Sequence, residues 1–581
     1  MTQLPVPPLR QSLDRYLAAL RPLSDAGQMR RAEEVVARFH ATDGPRCQAE
    51  LVAFADQENA AGESWLSRHW LATYLAVREP LPLTSSVGFR IRWDRDSSGI
   101  DRAAEVIHCA ASVHLSYLRG EVEDEVTPRG DPVDMRQWQV LAGGVRHPRP
   151  VEDVFLDGRR ESAAREIGVL WHGHCLMLPI SDDAGQPLPQ PVLAAALAQL
   201  PRLPLGQDEG FTHLSYLGSD LAAAHLDALL VDPGNARRYE RLVHALFLVN
   251  LTDTVASDEG HQERVSFHPG QAWAYKPLTY QVSLTDDHVG LHVEHSMVDG
   301  ATIASVISLM QQVGPAGDPG AHPPALEPLT WSMPADLGAQ IADATRSYRH
   351  RAGAYRVRIV RTPSALPADL PFRVSHDAIQ QVALLCAQLA TYGRARSTYE
   401  AVDMREYQAG RTECLRPIGQ QSLALAHALV TGGATPEHLH DALAAHKEQI
   451  VACKSGQGFE RHLFGLQRMA QGLGLAPPLF GEESHVRLTT DFLSTSSLGD
   501  DRQMTRFTFA PTSVGGIGVN YTAVQGGYEF CLIADADDNV AMDDFAGSLA
   551  MAVTALAHLV TTATKAHHRA AAPPRGPRVT D

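Results

Sequence analysis

LTYQVSLTDDHVGLHVEHSMVDG, the run from Leu278 to Gly300, holds the features that decide how this chain folds. Leu278–Ser283 and Val289–Val293 read as two strands around a turn at Asp286-Asp287. His295 then falls where a buried strand ends, and Gly300 lets the backbone turn sharply just beyond it. A neutral imidazole held at a strand end can take a proton from a hydroxyl or thiol near pH 7. Asp299, four residues after the histidine, is placed to fix the loop rather than to relay a proton.

The chain has 27 histidines, and any one of them is ordinarily a surface or satisfied core residue. The spacing His-x-x-x-Asp-Gly says more. It is shared by several acyl-transferring families, peptide-synthetase condensation domains among them, so it names a chemistry rather than a family.

The chain's 581 residues suggest two to four domain-sized units, and 44% hydrophobic with 20% charged residues supplies large cores. A net charge of -17 argues against nucleic acid and anionic membranes as partners. Seven scattered cysteines without a Cys-x-x-Cys pair suit a reducing cytoplasm. His172 and His174, read as alternate residues of one strand, share a face that a metal could meet, but no second cluster supports them, and no metal is expected. The N-terminus lacks a basic segment followed by an apolar core, so no signal peptide is expected. Ser548 to Thr564 reads as a helix too short and interrupted to span a bilayer.

Outward from the histidine, helices are expected over Leu13–Leu20, Met29–Asn59, Val106–Leu118, Leu221–Val231, Ala236–Leu246 and Thr302–Val313. Leu66 and Trp70, four apart, suggest packing against a core, and Ile167–Ile180 has a strand signature. In the second half, Ser375 is an N-cap for a helix to about Tyr392, and Gly432-Gly433 ends another begun at Gln420. Strands are expected at Val486–Thr490, Thr505–Phe509 and Gly518–Tyr521. Arg569–Asp581, rich in Pro and Arg, reads as a disordered tail.

A set of short motifs, in order over about 500 residues, resembles the choline/carnitine O-acyltransferase family. They are Leu4-Pro5-Val6-Pro7-Pro8-Leu9, Trp65-Leu66, Glu294 to Gly300, Thr398-Tyr399-Glu400 and Gly410-Arg411-Thr412-Glu413. Glu460 to Leu466, Ser494-Thr495-Ser496, Phe509-Ala510-Pro511 and Gly518-Val519-Asn520-Tyr521 complete them. Each motif is weak alone; the ordered set is strong. The resemblance implies an α/β fold of two chloramphenicol acetyltransferase-like halves with mixed sheets, and an active-site tunnel between them. Residues 1–345 would carry the histidine, and 346–568 the acceptor and thioester motifs.

By the same resemblance, His295 is the base that deprotonates an acceptor hydroxyl, and Ser496 donates a hydrogen bond to the tetrahedral oxyanion. Asp299 and Arg411 form a buried pair holding the histidine loop. Tyr399, Thr412 and Arg461 match positions that hold the carboxylate of carnitine, and the arginine is what choline-using members lack. Asp377 and Arg373 are the thioester-binding positions. Phe507, four before Pro511, stands where long-chain members tend to have glycine, which implies a short acyl group.

The chain also departs from the family pattern. Lysines that usually precede the Ser-x-Asp-Ala segment, where they meet coenzyme A phosphates, are replaced by Phe372-Arg373-Val374, and no lysine lies between Lys276 and Lys447. Ser497 and Ala401 stand where glutamine and serine are common, and the loop Thr362–Pro371 is short. The donor expected is a coenzyme A thioester, with no permanently bound cofactor; an acyl carrier protein thioester is the alternative. A non-catalytic binding homologue is a third reading, opposed by the intact His295, Asp299, Arg411 and Ser496.

Overall fold

Two mixed sheets organise the chain in the computed structural model, which describes residues 1–206, 210–314, 322–363, 366, 370, 374–538 and 540–571. In the first sheet the strands Leu278–Ser283 and Val289–Val293 are neighbours and every residue in both is buried. Both faces are covered: Leu278, Tyr280 and Val282 alternate with Thr279, Gln281 and Ser283, and all six are buried. Val87–Ile91 lies beyond Val289–Val293, and Met504–Thr508 closes that edge, antiparallel to Val87–Ile91. On the other side follow Leu248–Thr252 and Glu166–Trp171, both parallel, and then His174–Pro179 and Glu327–Pro328. The helix Gly99–Leu118 covers one face with Ala103, Val106, Ile107 and Ala110.

The second sheet runs Tyr355–Pro363, Gly527–Asp535, Ile517–Val524, Leu493–Ser496, Thr398–Asp403 and Thr412–Leu415. Helices His376–Tyr392 and Met542–Ala571 pack on it through Ile379, Leu385, Phe545, Leu549 and Leu556. The caps are those expected: Ser375 Oγ accepts from Ala378 N at 3.2 Å, and Gly432 ends the helix Gln420–Thr431 in the left-handed region.

Each half reaches into the other. Met504–Thr508 belongs to the first sheet, although its chain neighbours build the second. Conversely, Leu13, Tyr16, Leu51, Trp65 and Leu66 share a core with Leu463 and Leu466 of the helix Glu460–Gly472. Gly465 is required at that crossing, because a Cβ there would meet Leu51 Cδ2 and Trp65 Cζ3 at 3.0 Å.

Three expectations need correction. Val486–Thr490 is not a strand; Glu483–Thr489 is a helix, started by Glu482, whose side chain accepts from the N–H groups of Ser484 and His485. That cap outweighs the β-branched composition, and the strand begins only at Leu493. Ile167–Ile180 is a hairpin rather than one strand, with His172 at φ 48° in its turn. His172 pairs with Asp253 and His174 with the Gly206 carbonyl, so the two do not share a strand face. The helix containing Ser548–Thr564 spans 30 residues, and its Met542–Lys565 part is apolar and long enough to cross a bilayer. Its buried side packs on the second sheet and the helix His376–Tyr392. That helix continues through Ala571, and 572–581 lie outside the described residues, as does Arg373.

Candidate active site

His295 lies two residues past the strand Val289–Val293, before the helix Gly300–Gln312. Its Nδ1 is 2.6 Å from the Val298 carbonyl oxygen. A carbonyl only accepts, so Nδ1 carries the proton and Nε2 is left bare, the tautomer a base requires. The ring meets the edge of Tyr74 at 5.6 Å and is 26% exposed, opening into a cavity of about 730 Å³ lined by both halves. Glu294, just before it, points away. Glu294 pairs with buried Arg146 and accepts from the Ser296 hydroxyl at 2.6 Å, pinning the turn from behind.

Asp299 occupies the N-cap position of Gly300–Gln312 without capping it. Its carboxylate is taken by Arg411, through Nε to Oδ2 at 2.8 Å and Nη2 to Oδ1 at 3.0 Å, and by the Gln137 amide at 2.8 Å. Arg411 also donates to the carbonyls of Ser296 at 2.6 Å and His295 at 3.2 Å. The guanidinium thus grips the histidine loop at three residues. Asp299 Oδ1 stands 3.9 Å from His295 Nδ1, too far for a hydrogen bond. Burial works to raise the Asp299 carboxyl, but Arg411 prevails and holds it below its usual range.

Across the cavity, Arg461 projects from the helix Glu460–Gly472. Its Nη2 donates to the Tyr399 hydroxyl at 3.1 Å and its Nε to the Thr412 carbonyl at 3.0 Å. Its guanidinium carbon lies 3.9 Å from the Trp70 ring centroid. Burial works against the charge, yet Tyr399, Cys414 and Glu413 keep its pKa above the usual arginine value. Arg416, its neighbour in the lining, is bound by Glu460 and Asp491. Among the described residues Arg461 makes no such ion pair within 4.0 Å, although it is only 6% exposed.

These side chains lie in a chain whose residues 4–550 match the model of the choline/carnitine O-acyltransferases. The chain belongs to that family. It is 25% identical to human carnitine O-acetyltransferase, over 92% of this chain and 89% of that protein. It is equally 25% identical to bovine mitochondrial carnitine O-palmitoyltransferase 2, over 92% and 88%. Among solved structures, trichothecene 15-O-acetyltransferase of Fusarium sporotrichioides is similar over 84% of this chain and 94% of that one, with TM-score 0.38 and 10% identity.

As an O-acyltransferase, the chain has its other sequence-predicted residues in two places. Ser496 and Phe507 join His295, Asp299, Tyr399, Thr412 and Arg461 in the cavity lining. Ser496 ends the strand Leu493–Ser496, whose Thr495 hydroxyl donates to the Tyr399 carbonyl at 2.7 Å. Asp377 is not in the lining. It accepts from the Tyr521 hydroxyl at 2.6 Å and lies 2.6 Å from His446 Nε2, and buried Glu400 contacts the same hydroxyl beside it.

Sequence reasoning missed Tyr74, Gln137 and the contact of Trp70 with Arg461. Leu66 enters a core and Trp70 packs against it, as expected; Trp70 also stacks on Arg461, and Tyr74 is four residues on, along the same face of Ser67–Leu75. That i, i+4 aromatic pair was the available signal. Gln137 lies in the short 3-10 helix Arg136–Ala142 and accepts from Asp299 N and the Thr302 hydroxyl; nothing in the sequence around it announces it.

Glu413, next to Arg461 in electrostatic terms, carries a pH signature. Burial pushes its carboxyl from the usual 4.5 up to about 7, although Arg461 opposes this. The raised value makes folding take up a proton. This group's stabilisation is therefore fully present below pH 4.5 and lost as pH rises through about 7. Glu413→Gln, which stays neutral and still accepts from the backbone, is expected to gain on the wild type by on the order of 2–3 kcal/mol between pH 4.5 and 8. Urea denaturation of both proteins across that range measures it. A pH-independent difference would contradict the assignment.

Proposed function

We propose that the enzyme moves a short acyl group from a coenzyme A thioester to the hydroxyl of carnitine or a similar small carboxylate-bearing acceptor. The observation that carries this is Arg461, a buried cation in the same cavity as His295 that lacks an ion-pair partner among the described residues. Glu413 and Glu460 act on this guanidinium without forming a close ion pair, so an acceptor carboxylate that reaches it directly binds with charge-assisted hydrogen bonds. The Tyr399 and Thr412 side chains flank that position.

In this reading His295 Nε2 takes the acceptor hydroxyl proton as its oxygen attacks the thioester carbonyl. Ser496 donates to the oxyanion of the tetrahedral intermediate, a contribution of about 3 to 4 kcal/mol for such donors. Collapse expels the thiolate, which recovers the proton from the imidazolium. No covalent acyl-enzyme forms, and positioning both substrates in one cavity does much of the rest. The similarity to acetyl- and palmitoyl-transferring relatives is equal, so the short acyl preference rests on Phe507 in the lining. Seven buried, unpaired cysteines suit a cytoplasmic setting.

Arg461→Asn tests the acceptor site. The variant is expected to raise the KM for carnitine by about 10- to 150-fold, equivalent to about 1.5 to 3 kcal/mol for a lost charged hydrogen-bond partner. It should spare choline, which has no carboxylate. Equal losses for both acceptors would refute the assignment.

A further inference from the structure

The apolar end of the cavity is built by the first sheet and carries Val87, Phe89, Phe507 and Phe509. Val87 pairs with Val293, two residues before His295, while Phe89 pairs with Phe507 on the edge strand. Side chains two apart on a strand share a face and are separated by about 6.6 Å. Moving away from the histidine, the wall passes Val87 and then meets the Phe89 and Phe507 rings. Their centroids are 5.2 Å apart with an interplanar angle of 41°. Both residues are nearly fully buried, at 3% and 5% exposure, and both border the cavity.

We infer that Phe89 and Phe507 act as one two-ring stop for the acyl group, and that Phe89 sets acyl length as strongly as Phe507. The inference rests on the acyltransferase reading above. Contact between the rings is what couples them. When one is removed, the other can lean into the vacated volume, because cavities in cores partly collapse. A long chain gains a path only when both rings are gone. The two substitutions should therefore be strongly non-additive, as residues in contact are.

The test is a double-mutant cycle of Phe89→Ala and Phe507→Gly. It is read first by calorimetric binding of non-transferable thioether analogues of acetyl- and palmitoyl-coenzyme A, then by transfer rates from the matching thioesters. Each single variant is expected to improve palmitoyl relative to acetyl binding by less than about 10-fold, and the double variant by about 100-fold or more. Denaturation midpoints check folding. If the small pair does not fold, Phe89→Val with Phe507→Val, which keep strand-forming residues, replace it with the same expected order of effects. No change in the ratio from Phe89 substitutions on either background would overturn the inference. A wild type that binds the analogues yet transfers no acyl group would instead overturn the acyltransferase reading, and the binding cycle would still judge the stop.

Discussion

His295→Ala is expected to lower the rate of acyl transfer by roughly 100- to 10,000-fold, the usual worth of a positioned proton acceptor. The fold should survive. The ring is a quarter exposed and its one hydrogen bond among the described residues is to the Val298 carbonyl, so the stability cost is about 1 kcal/mol. The loss should fall on kcat, with little change in KM for the acceptor, since Arg461 rather than His295 binds the acceptor in the proposed reading. Thiol release under saturating substrates, with a thermal melt of the same preparation, separates the two effects. A variant keeping more than about a tenth of the wild-type rate would contradict the role of base.

Arg411→Met is expected to be the most destabilising change around the site, at about 3 to 5 kcal/mol, because it leaves the buried Asp299 carboxylate without its cation. Two carbonyl contacts to the histidine loop go with it, so activity falls as well. The pH dependence follows from the sign of the Asp299 shift. In the wild type, that carboxyl is held low, and its contribution is present above pH 3.8 and lost on acidification through its folded value. Without Arg411, the largest opposition to burial is gone, although Gln137 still donates; the carboxyl rises, and the deficit of the variant should widen as pH rises. Adding Asp299→Asn should recover part of the loss. Denaturation midpoints at pH 5 and pH 8 read this out, and a deficit under about 1 kcal/mol at pH 8 would refute the buried pair.

Much of this architecture is legible in the sequence because it is local. The strand pair before His295, the Ser375 cap and the Gly432 stop each follow from a few adjacent residues. Arg461 and Tyr399 could be named from ordered motifs, and the structure brings them within 3.1 Å. What was not legible depends on long-range pairing. Thr508 and Gly88 are 420 residues apart, and only their strand pairing sets Phe89 against Phe507. The helix Glu483–Thr489 defeated a composition-based reading, because one glutamate side chain satisfies its first N–H groups. Gln137 became visible only when Asp299 and Thr302 converged on it.

The central claim is that this cavity joins a thioester to an acceptor that carries both a hydroxyl and a carboxylate. A thiol-release assay of the purified wild type with acetyl-coenzyme A tests it most directly, run with L-carnitine, with choline and with no acceptor. Release that depends on carnitine and exceeds the choline rate by about 10-fold or more is the predicted result. Equal rates with the two acceptors, or release that needs neither, would contradict the account.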